Sequence, residues 1–587
     1  MFRIIPDGRA FSEYALLRDG QPVRLRAATP EDVDAVDAFL QTVSPESLSM
    51  RFMGAVCRVS RPLITSMCAG DPADSFSLLA IAGPPEGPRI AGIGNYVASA
   101  ARIAEVSFLV HDEFQGRGIS TLLLERLAGI AAAHGFVGFE AEVLAENLAM
   151  INVFRDSGFE VVQAFEGSGT VHVRFPVEGG EALRERAELR DRVAAANSLA
   201  GFFRPRAVAV VGASRDRGAI GSLVFQAILR GNFAGAVYPV NRETAAVHGV
   251  RAYPSVRDLP EVPDLAILAV PAHGTVAVAE DALAAGCRAL LVLSSGFAEA
   301  GPAGEALQRQ LLEAVRAHGA RLIGPNGLGL MNTDPGVRLN ASLAPDLAPR
   351  GRIGFFSHSA ALGIVILEYA AERGLGFSTF VSAGNRADVS GNDLLQYWEE
   401  DPSTDVALLY LETFGSARRF ARIARRLARR KPVLCVKGAR SRAGRDVARA
   451  HVPAGAAEAS DTNVDALFRQ AGVIRADTIE EMFDVAALLA YQPLPRGGRV
   501  GIVGNAGGVL TICADACEAE GLAVVGPAVR DLGPMAEVAE FEEAIEKTVG
   551  RQDVDAVIAI HARVGECDPR AVGRAVGRAA LRAGRRS

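Results

Sequence analysis

The chain has 587 residues, 49% of them hydrophobic and 22% charged, with a net charge of −6 at neutral pH. That length exceeds what one core supports, so several domains are expected, and the acidic balance argues against a nucleic-acid binder. The first residues lack the apolar stretch of a signal peptide and no run nears the ~20 apolar residues of a spanning helix, while the seven cysteines are scattered without a CxxC pair, so a cytoplasmic protein with no membrane, nucleic-acid or metal partner is expected.

Pro30 to Thr42 has amphipathic helical spacing, and Ser75–Ala82 and Arg89–Ala98 read as strands. Val106, Phe108 and Val110 alternate through a further strand. Gln115, Gly116 and Gly118 follow, leading into a helical pattern with Leu122, Leu123, Leu127 and Ile130 on its apolar face. Strand, glycine loop and helix start together aim free backbone N–H groups at an anion. Glycine suits the loop because a phosphate must come close to the backbone. The expected occupant is a phosphate-bearing ligand, held by N–H groups from Gly116 through Arg117, Gly118 and Ile119 to Ser120, with Gln115 flanking it and Arg117 adding charge. Val137–Ala145 reads as a strand, and Asn147 opens a short helix that ends in Gly158-Phe159.

Gln115-x-x-Gly118-x-Ser120, the strand before it and Asn147…Gly158-Phe159 resemble the GNAT-type N-acyltransferases, across residues 1–178. The resemblance implies a site for acetyl-CoA or another short acyl-CoA at Val110, Gln115–Ser120 and Asn147. It also implies a general base at Glu105, placed just before the strand, where protein-acetylating members carry a glutamate. The family usually has Gly or Ala where Ser120 stands, and many members have a Tyr acid where Phe154 stands. A thiol pKa of about 8.5 lets the leaving group depart without that acid. His111 reads as a solvated turn residue.

From Gly179 to Arg192 opposite charges alternate at helical spacing, as in an exposed connecting helix; the linker is set at 179–199. Strands then recur at Ala207–Val211, Ala236–Val240, Asp264–Val270 and Ala289–Leu293, with helical patterns between, which gives a doubly wound domain over 200–345. A dinucleotide site wants Gly-x-Gly-x-x-Gly and a later carboxylate. Here the loop is Gly212-Ala-Ser214 and the second strand ends in Val240-Asn241, which argues against NAD. Gly212-Ala-Ser214, Ile220-Gly221, Tyr238–Asn241, Val270-Pro271, Ser295-Gly296-Phe297 and Gly324–Asn326 instead resemble the CoA-binding domain of the NDP-forming acyl-CoA synthetases, relatives of the succinyl-CoA synthetase α chain. The resemblance implies CoA contacts at Gly212, Ser214, Asn241, Pro271, Ser295, Gly296 and Asn326.

The remaining chain repeats a strand–turn–helix pattern at Gly351–Leu362 and Gly498–Val509. Two flavodoxin-like lobes are expected, over 346–494 and 495–587, the second shortened. By the same resemblance the first turn is an anion site with Ser357 and Ser359, although the family's Ser-Gln-Ser-Gly reads Ser357-His358-Ser359-Ala360 here. His451 stands where the family's phosphoryl carrier does, after Lys437-Gly438-Ala-Arg440, and Glu412 matches the glutamate that orients it. Its neighbours Ala450, Val452 and Pro453 depart from the family's Ser-His-Thr-Gly, and no ATP-grasp domain follows before Ser587. Two readings stay open for His451: a working phosphohistidine served with ATP or ADP by a separate ATP-grasp β subunit, or a remnant in a domain kept for binding acyl-CoA. The arginine runs at 418–430 and 570–582 read as solvated helix faces.

The expected fold is α/β: a GNAT domain, a Rossmann-like CoA-binding domain and two flavodoxin-like lobes of the succinyl-CoA-synthetase type. The fusion resembles the Pat-type lysine acetyltransferases. It implies an acyl-CoA-dependent N-acyltransferase acting on protein lysines, those of acyl-CoA synthetases among them, with a CoA-sensing synthetase-like region, in a homo-oligomer. The alternative is an ADP-forming acetate–CoA ligase α-type chain.

Overall fold

The computed structural model describes residues 10–54, 58–83, 87–166, 169–448, 461–564 and 568–584. They form two compact units, residues 1–490 and 491–587.

The first sheet of the first unit has eight strands: β1 (Ser12–Leu16), β2 (Pro22–Ala27), β3 (Ser75–Ala82), β4 (Arg89–Ala100), β5 (Ile103–Val110), β6 (Gly138–Leu144), β7 (Val162–Glu166) and β8 (Thr170–Pro176). Their order is β1-β2-β3-β4-β5-β6-β8-β7, antiparallel throughout except between β5 and β6. That parallel pair is short. Ile103 pairs with Gly138, Ala104 with Phe139 and Glu105 with Glu140, and no further pair follows. Period-two alternation sends Ala104, Val106 and Phe108 into the core with α4 (Ile119–Ala133) and α5 (Leu148–Ser157). Leu109 packs on the other face, in the core of α1 (Val33–Thr42), α2 (Pro45–Phe52) and α3 (Arg61–Cys68). Glu105 and Ser107 share that face by alternation. Glu105 therefore lies inside β5, not ahead of it as the sequence suggests.

After α6 (Glu181–Ser198) and α7 (Ala200–Phe203), the strands β9 (Ala207–Val211), β10 (Ala236–Val240), β13 (Leu265–Leu268), β14 (Ala289–Val292) and β15 (Arg321–Ile323) form a parallel sheet in the order β10-β9-β13-β14-β15. A two-stranded hairpin, β11 (Ala246–Val247) and β12 (Val250–Arg251), and the helices α8 (Ile220–Arg230), α9 (Ala272–Ala284) and α10 (Pro302–Ala317) complete the domain. The strands read as continuous apolar runs because both faces are covered.

A seven-stranded sheet follows, in the order β17-β16-β19-β18-β20-β21-β22. Its strands are β16 (Gly329–Asn332), β17 (Leu339–Ser342), β18 (Arg350–Ser357), β19 (Phe377–Ser382), β20 (Val406–Leu411), β21 (Val433–Lys437) and β22 (Ile474–Ala476). This sheet takes its first hairpin from before residue 346. The helices are α11 (Ala360–Glu372), α12 (Gly391–Glu400), α13 (Ala417–Ala428), α14 (Arg442–Ala448), α15 (Asp461–Ala471) and α16 (Ile479–Tyr491). Trp398 on α12 is fully buried, and its indole N–H donates to Thr379 Oγ1 at 2.8 Å.

Helix α6 corrects one expectation. It is no exposed spacer: it buries Leu183, Ala194 and Ala195 and packs on both α5 and α12. Arg192 holds Glu399 at 2.7 Å and Glu400 at 2.6 Å, and Glu399, whose side chain is fully buried, also takes Arg426 at 2.8 Å. Glu188 meets Arg422 at 3.4 Å and Arg426 at 3.6 Å. Part of the arginine run on α13 thus faces α6 and α12 rather than water. Alternating charge looks the same on a solvated helix and on one clasped by oppositely charged neighbours.

The second unit is a parallel sheet in the order β24-β23-β25, from β23 (Arg499–Gly504), β24 (Ala523–Asp531) and β25 (Ala556–Ile560). It carries α17 (Gly507–Ala519), α18 (Val538–Val549) and α19 (Pro569–Gly584). Asn505, in the turn before α17, donates to Ala562 O at 2.9 Å and accepts from Ala562 N at 2.8 Å. Arg578 on α19 pairs with Glu542 on α18 at 2.5 Å. Among the described residues no cluster of His, Cys, Asp and Glu could hold a metal, and no helix is long and apolar enough to cross a membrane.

Candidate functional site

Where β5 and β6 part, a cavity of about 1040 Å³ opens, walled by Val106–Val110 on one side and Ala141–Val143 on the other. Glu105 stands at the apex of the fork, solvent-exposed. Beyond it the β6-facing backbone of β5 lacks a strand partner, and strand backbone groups need partners when covered. An extended pantetheine arm of CoA has the amide groups to meet that need.

The far end of the cavity is the glycine loop. Gly116 has φ +75° and Gly118, the N-cap of α4, has φ +90°. A Cβ at either would meet nothing within 4 Å, so glycine is required there by backbone conformation, and the space beside it is open to a ligand. Gln115 donates from Nε2 to Val110 O at 3.2 Å and to Ser47 Oγ at 3.1 Å, which ties the loop to β5 and α2. Asp112 fixes the same corner: it accepts from Ser44 N at 2.9 Å, Ser44 Oγ at 2.7 Å and Ser47 Oγ at 2.7 Å. Burial raises its pKa, but these donors outweigh burial and hold it down at about 2. Arg117 lies 3.4 Å from Asp19, and its backbone carbonyl accepts from Arg18 N at 3.0 Å. Ile119 and Ser120 open α4 and line the cavity.

Asn147 lines the cavity too, where it caps α5 by accepting from Met150 N at 3.1 Å. Phe154 is buried against Phe108 and Phe175, with ring centroids 6.2 Å and 5.4 Å away. His111 is not the solvated residue expected: it is 8% exposed, its ring lies beside Phe39, and Nδ1 accepts from Glu113 N.

Two walls of this cavity escaped the sequence. Helix α6 contributes Leu189, Arg190 and Val193, and Arg190 pairs with Glu125 of α4. Burial lowers the Arg190 pKa. Helix α2 contributes Arg51. The hydrophobic spacing of Leu183, Val193 and Ala194 was the available signal for α6; a lone arginine offers none.

In the parallel domain the expected contact residues gather at one edge. Gly212 and Ser214 follow β9, Asn241 follows β10, Pro271 follows β13, Ser295 and Gly296 follow β14, and Asn326 follows β15. All lie at the carboxyl ends of strands, where ligands bind in such sheets. Gly221 lets α8 approach this loop: a Cβ there would lie 2.0 Å from Gly212 O. Asn241 donates to Ala213 O at 2.7 Å, and Glu299 accepts from Gly296 N at 2.6 Å and Phe297 N at 3.2 Å.

The turn after β18 is knit by Ser357 Oγ, which donates to Ser359 O at 2.8 Å and accepts from Ser359 N at 3.0 Å. Ser359 caps α11. His358 Nδ1 accepts from Glu412 N at 2.9 Å, and Nε2 lies 3.1 Å from Arg386 Nη1. Lys437 Nζ donates to Glu412 O at 2.7 Å. Burial, then the charges of Arg386 and Lys437, push the His358 pKa well below its ordinary value, so the ring is neutral. The turn, Glu412 and these two cations are brought together; His451 lies outside the described residues.

Residues 67–159 match the acetyltransferase (GNAT) family, 206–333 the CoA binding domain, and 350–489 the succinyl-CoA ligase like flavodoxin domain. The ADP-forming acetate–CoA ligase I of Archaeoglobus fulgidus is 39% identical over 321 residues, which are 55% of this chain and 46% of that protein. The α subunit of the ADP-forming acetate–CoA ligase I of Pyrococcus furiosus is 32% identical over 395 residues, 64% of this chain and 85% of the subunit. Acetyltransferase Pat of Mycolicibacterium smegmatis is 32% identical over 179 residues, 30% of this chain and 52% of Pat. The solved dinucleotide-forming acetyl-coenzyme A synthetase 1 of Ca. Korarchaeum cryptofilum, in complex with phosphate and ADP, matches at TM-score 0.62 and 32% identity, covering 66% of this chain and 86% of that one. The chain thus spans about half the length of the Archaeoglobus ligase and most of the Pyrococcus subunit.

Proposed function

Because this chain belongs to the family of ADP-forming acetate–CoA ligase α subunits and carries a GNAT acetyltransferase-family domain ahead of that region, we propose that it is an acyl-CoA-dependent N-acyltransferase with a CoA-binding, synthetase-like region attached. The observation that carries the reading is the fork of β5 and β6 at Glu105, opening onto a cavity that ends in the Gly116–Ser120 loop.

In this reading the loop N–H groups and Arg117 hold the pyrophosphate of acetyl-CoA or another short acyl-CoA. The thioester lies in the fork. A neutral amine attacks the thioester carbon, a C–N bond forms, and the carbonyl electron pair moves to oxygen, where free N–H groups of β5 support it. Glu105 takes the proton that the amine gives up. The C–S bond then breaks and CoA leaves as thiolate. Phe154 cannot donate a proton, and a thiol of pKa about 8.5 does not require one.

The acceptor in this reading is a lysine side chain of a protein, acyl-CoA synthetases being the first candidates, and the setting is a cytoplasmic homo-oligomer. Incubation with labelled acetyl-CoA and cell extract tests it: label in protein lysines supports it, and label confined to small amines removes the protein acceptor.

A second reading has its own observation. His358, Arg386, Lys437 and Glu412 surround the Ser357–Ser359 turn, a place fit for an oxyanion. The chain would then serve as the α partner of a separate ATP-grasp subunit, with His451 carrying phosphate. Labelled ATP with candidate β subunits decides it, since acid-labile phosphate on His451 is required.

A further inference from the structure

Arg51 stands on α2, outside the stretch that matches the acetyltransferase family. It lines the same cavity as the fork. Its Nη2 donates to Asn95 Oδ1 at 3.0 Å, and Ser107 Oγ donates to the same oxygen at 3.2 Å. Asn95 pairs with Ser107 across β4 and β5. Ser107 lies two residues after Glu105 and two before Leu109, so all three share one face of β5. The guanidinium is therefore tethered through Asn95 to the face of β5 that carries Glu105, with the Phe52 ring centroid 5.0 Å from its carbon.

A guanidinium carries five N–H donors. Among the described residues Asn95 is the hydrogen-bond acceptor for Arg51, which leaves most of the fork of donors to the cavity. Burial pushes its pKa down to about 10, and Glu105 is the charge that opposes this. Glu105 on β5 is the charge that acts on it; Glu46 from α2 and Asp112 from the turn before the glycine loop line the same cavity, as do Arg18, Arg117 and Arg190, while Asn95 on β4 is neutral. Glu142 and Glu146 stand on the opposite wall. Glu46, Glu142 and Glu146 are exposed, so the mouth of the cleft is acidic while its inner wall here is cationic.

Resting on the transferase reading, we infer that Arg51 is the positive group of the acceptor site. The acidic rim draws an ammonium in, and Arg51 disfavours that form inside, so the ammonium gives its first proton to water at the cleft mouth and attacks as the neutral amine, and Glu105 takes the second proton as the C–N bond forms. The same charge favours the oxyanion on the acyl carbonyl. The acceptor class is thus a primary amine of ordinary basicity, which needs such help at neutral pH.

The test is the pH profile of kcat for a lysine peptide at saturating peptide and acetyl-CoA, in the full chain, since kcat reports the groups of the bound complex. Arg51→Gln should lower kcat at least tenfold and move the rising limb upward by about one pH unit, with acetyl-CoA Kd within twofold. Arg51→Lys should restore the limb. Asn95→Asp, which sets a carboxylate against the guanidinium, should shift it in the same direction as Arg51→Gln and covers the case of a poorly folded Arg51→Gln. An active wild type whose limb stays put in both neutralising variants overturns the inference alone. A wild type that acylates no amine at all overturns the transferase reading with it.

Discussion

Glu105 and Glu140 form the last rung between β5 and β6, and past that rung Val106 to Val110 face a cavity on the side where β6 would otherwise pair. The proposed base therefore sits where the sheet stops being a sheet. Glu105→Gln keeps the rung, since pairing is a matter of backbone, and removes the proton acceptor. It should slow acyl transfer by 10²-fold or more while acetyl-CoA binding stays within twofold. Steady-state kinetics beside calorimetric titration check both halves.

Gly118 caps α4 at φ +90°, a conformation costly for any residue with a Cβ and most of all for a β-branched one. Gly118→Val should cost about 1–2 kcal/mol of backbone strain and raise the acetyl-CoA Kd at least tenfold. Titration with acetyl-CoA reads the affinity. A Kd equal to the wild type's would show that the loop does not hold the pyrophosphate.

Glu399 compensates two cations at once, Arg192 from α6 and Arg426 from α13. Glu399→Ala leaves Arg192 with the exposed Glu400 and Arg426 with Glu188 in a mostly buried interface, and should destabilise the first unit by ~3 kcal/mol. The neighbouring Glu400 is 43% exposed, and Glu400→Ala should cost at most about 1 kcal/mol. Chemical denaturation of the two variants side by side gives the comparison.

His358 is held neutral by burial between Arg386 and Lys437. Its folded pKa is below the unfolded value, so the unfolded chain binds the extra proton first. Stability from this group is complete above pH ~6.5 and falls below it by about 1.4 kcal/mol per pH unit until the folded pKa is reached. His358→Gln should flatten that acid-side slope. Melting curves between pH 7 and pH 5 measure it, and an unchanged slope would falsify the assignment.

The elements that local pattern controls could be read from the chain. Gly116, Gly118 and Asn147 lie where loop and cap signals placed them, and Gly212, Asn241, Pro271 and Asn326 follow strands whose apolar runs are plain. What escaped depends on distant partners. The parting of β5 from β6 is written in neither strand, because Glu105 and Val106 look alike in a paired or an unpaired ladder. Arg190 and Arg192 alternate with acidic residues as on a solvated helix; only the acidic end of α12 and the carboxylate of Glu125 make them interior residues. His111 follows a strand as a turn residue does, and Phe39, 72 residues earlier, is what covers it.

Helix α6 gives the molecule an awkward seam. By sequence it is the obvious place to cut, yet Leu189, Arg190 and Val193 wall the cavity, and Asn197 donates to Arg18 O at 2.7 Å, one bond from Arg117 in the glycine loop. Its last turn is gripped from the other side by Arg321, which donates to Ser198 Oγ at 2.7 Å and is itself held by Asp388 at 2.6 Å. Neither half owns this helix. A graft that moves the first 178 residues to a new protein would carry off a vessel missing one side, so any working transplant has to take α6 along and supply it with a substitute for Glu399.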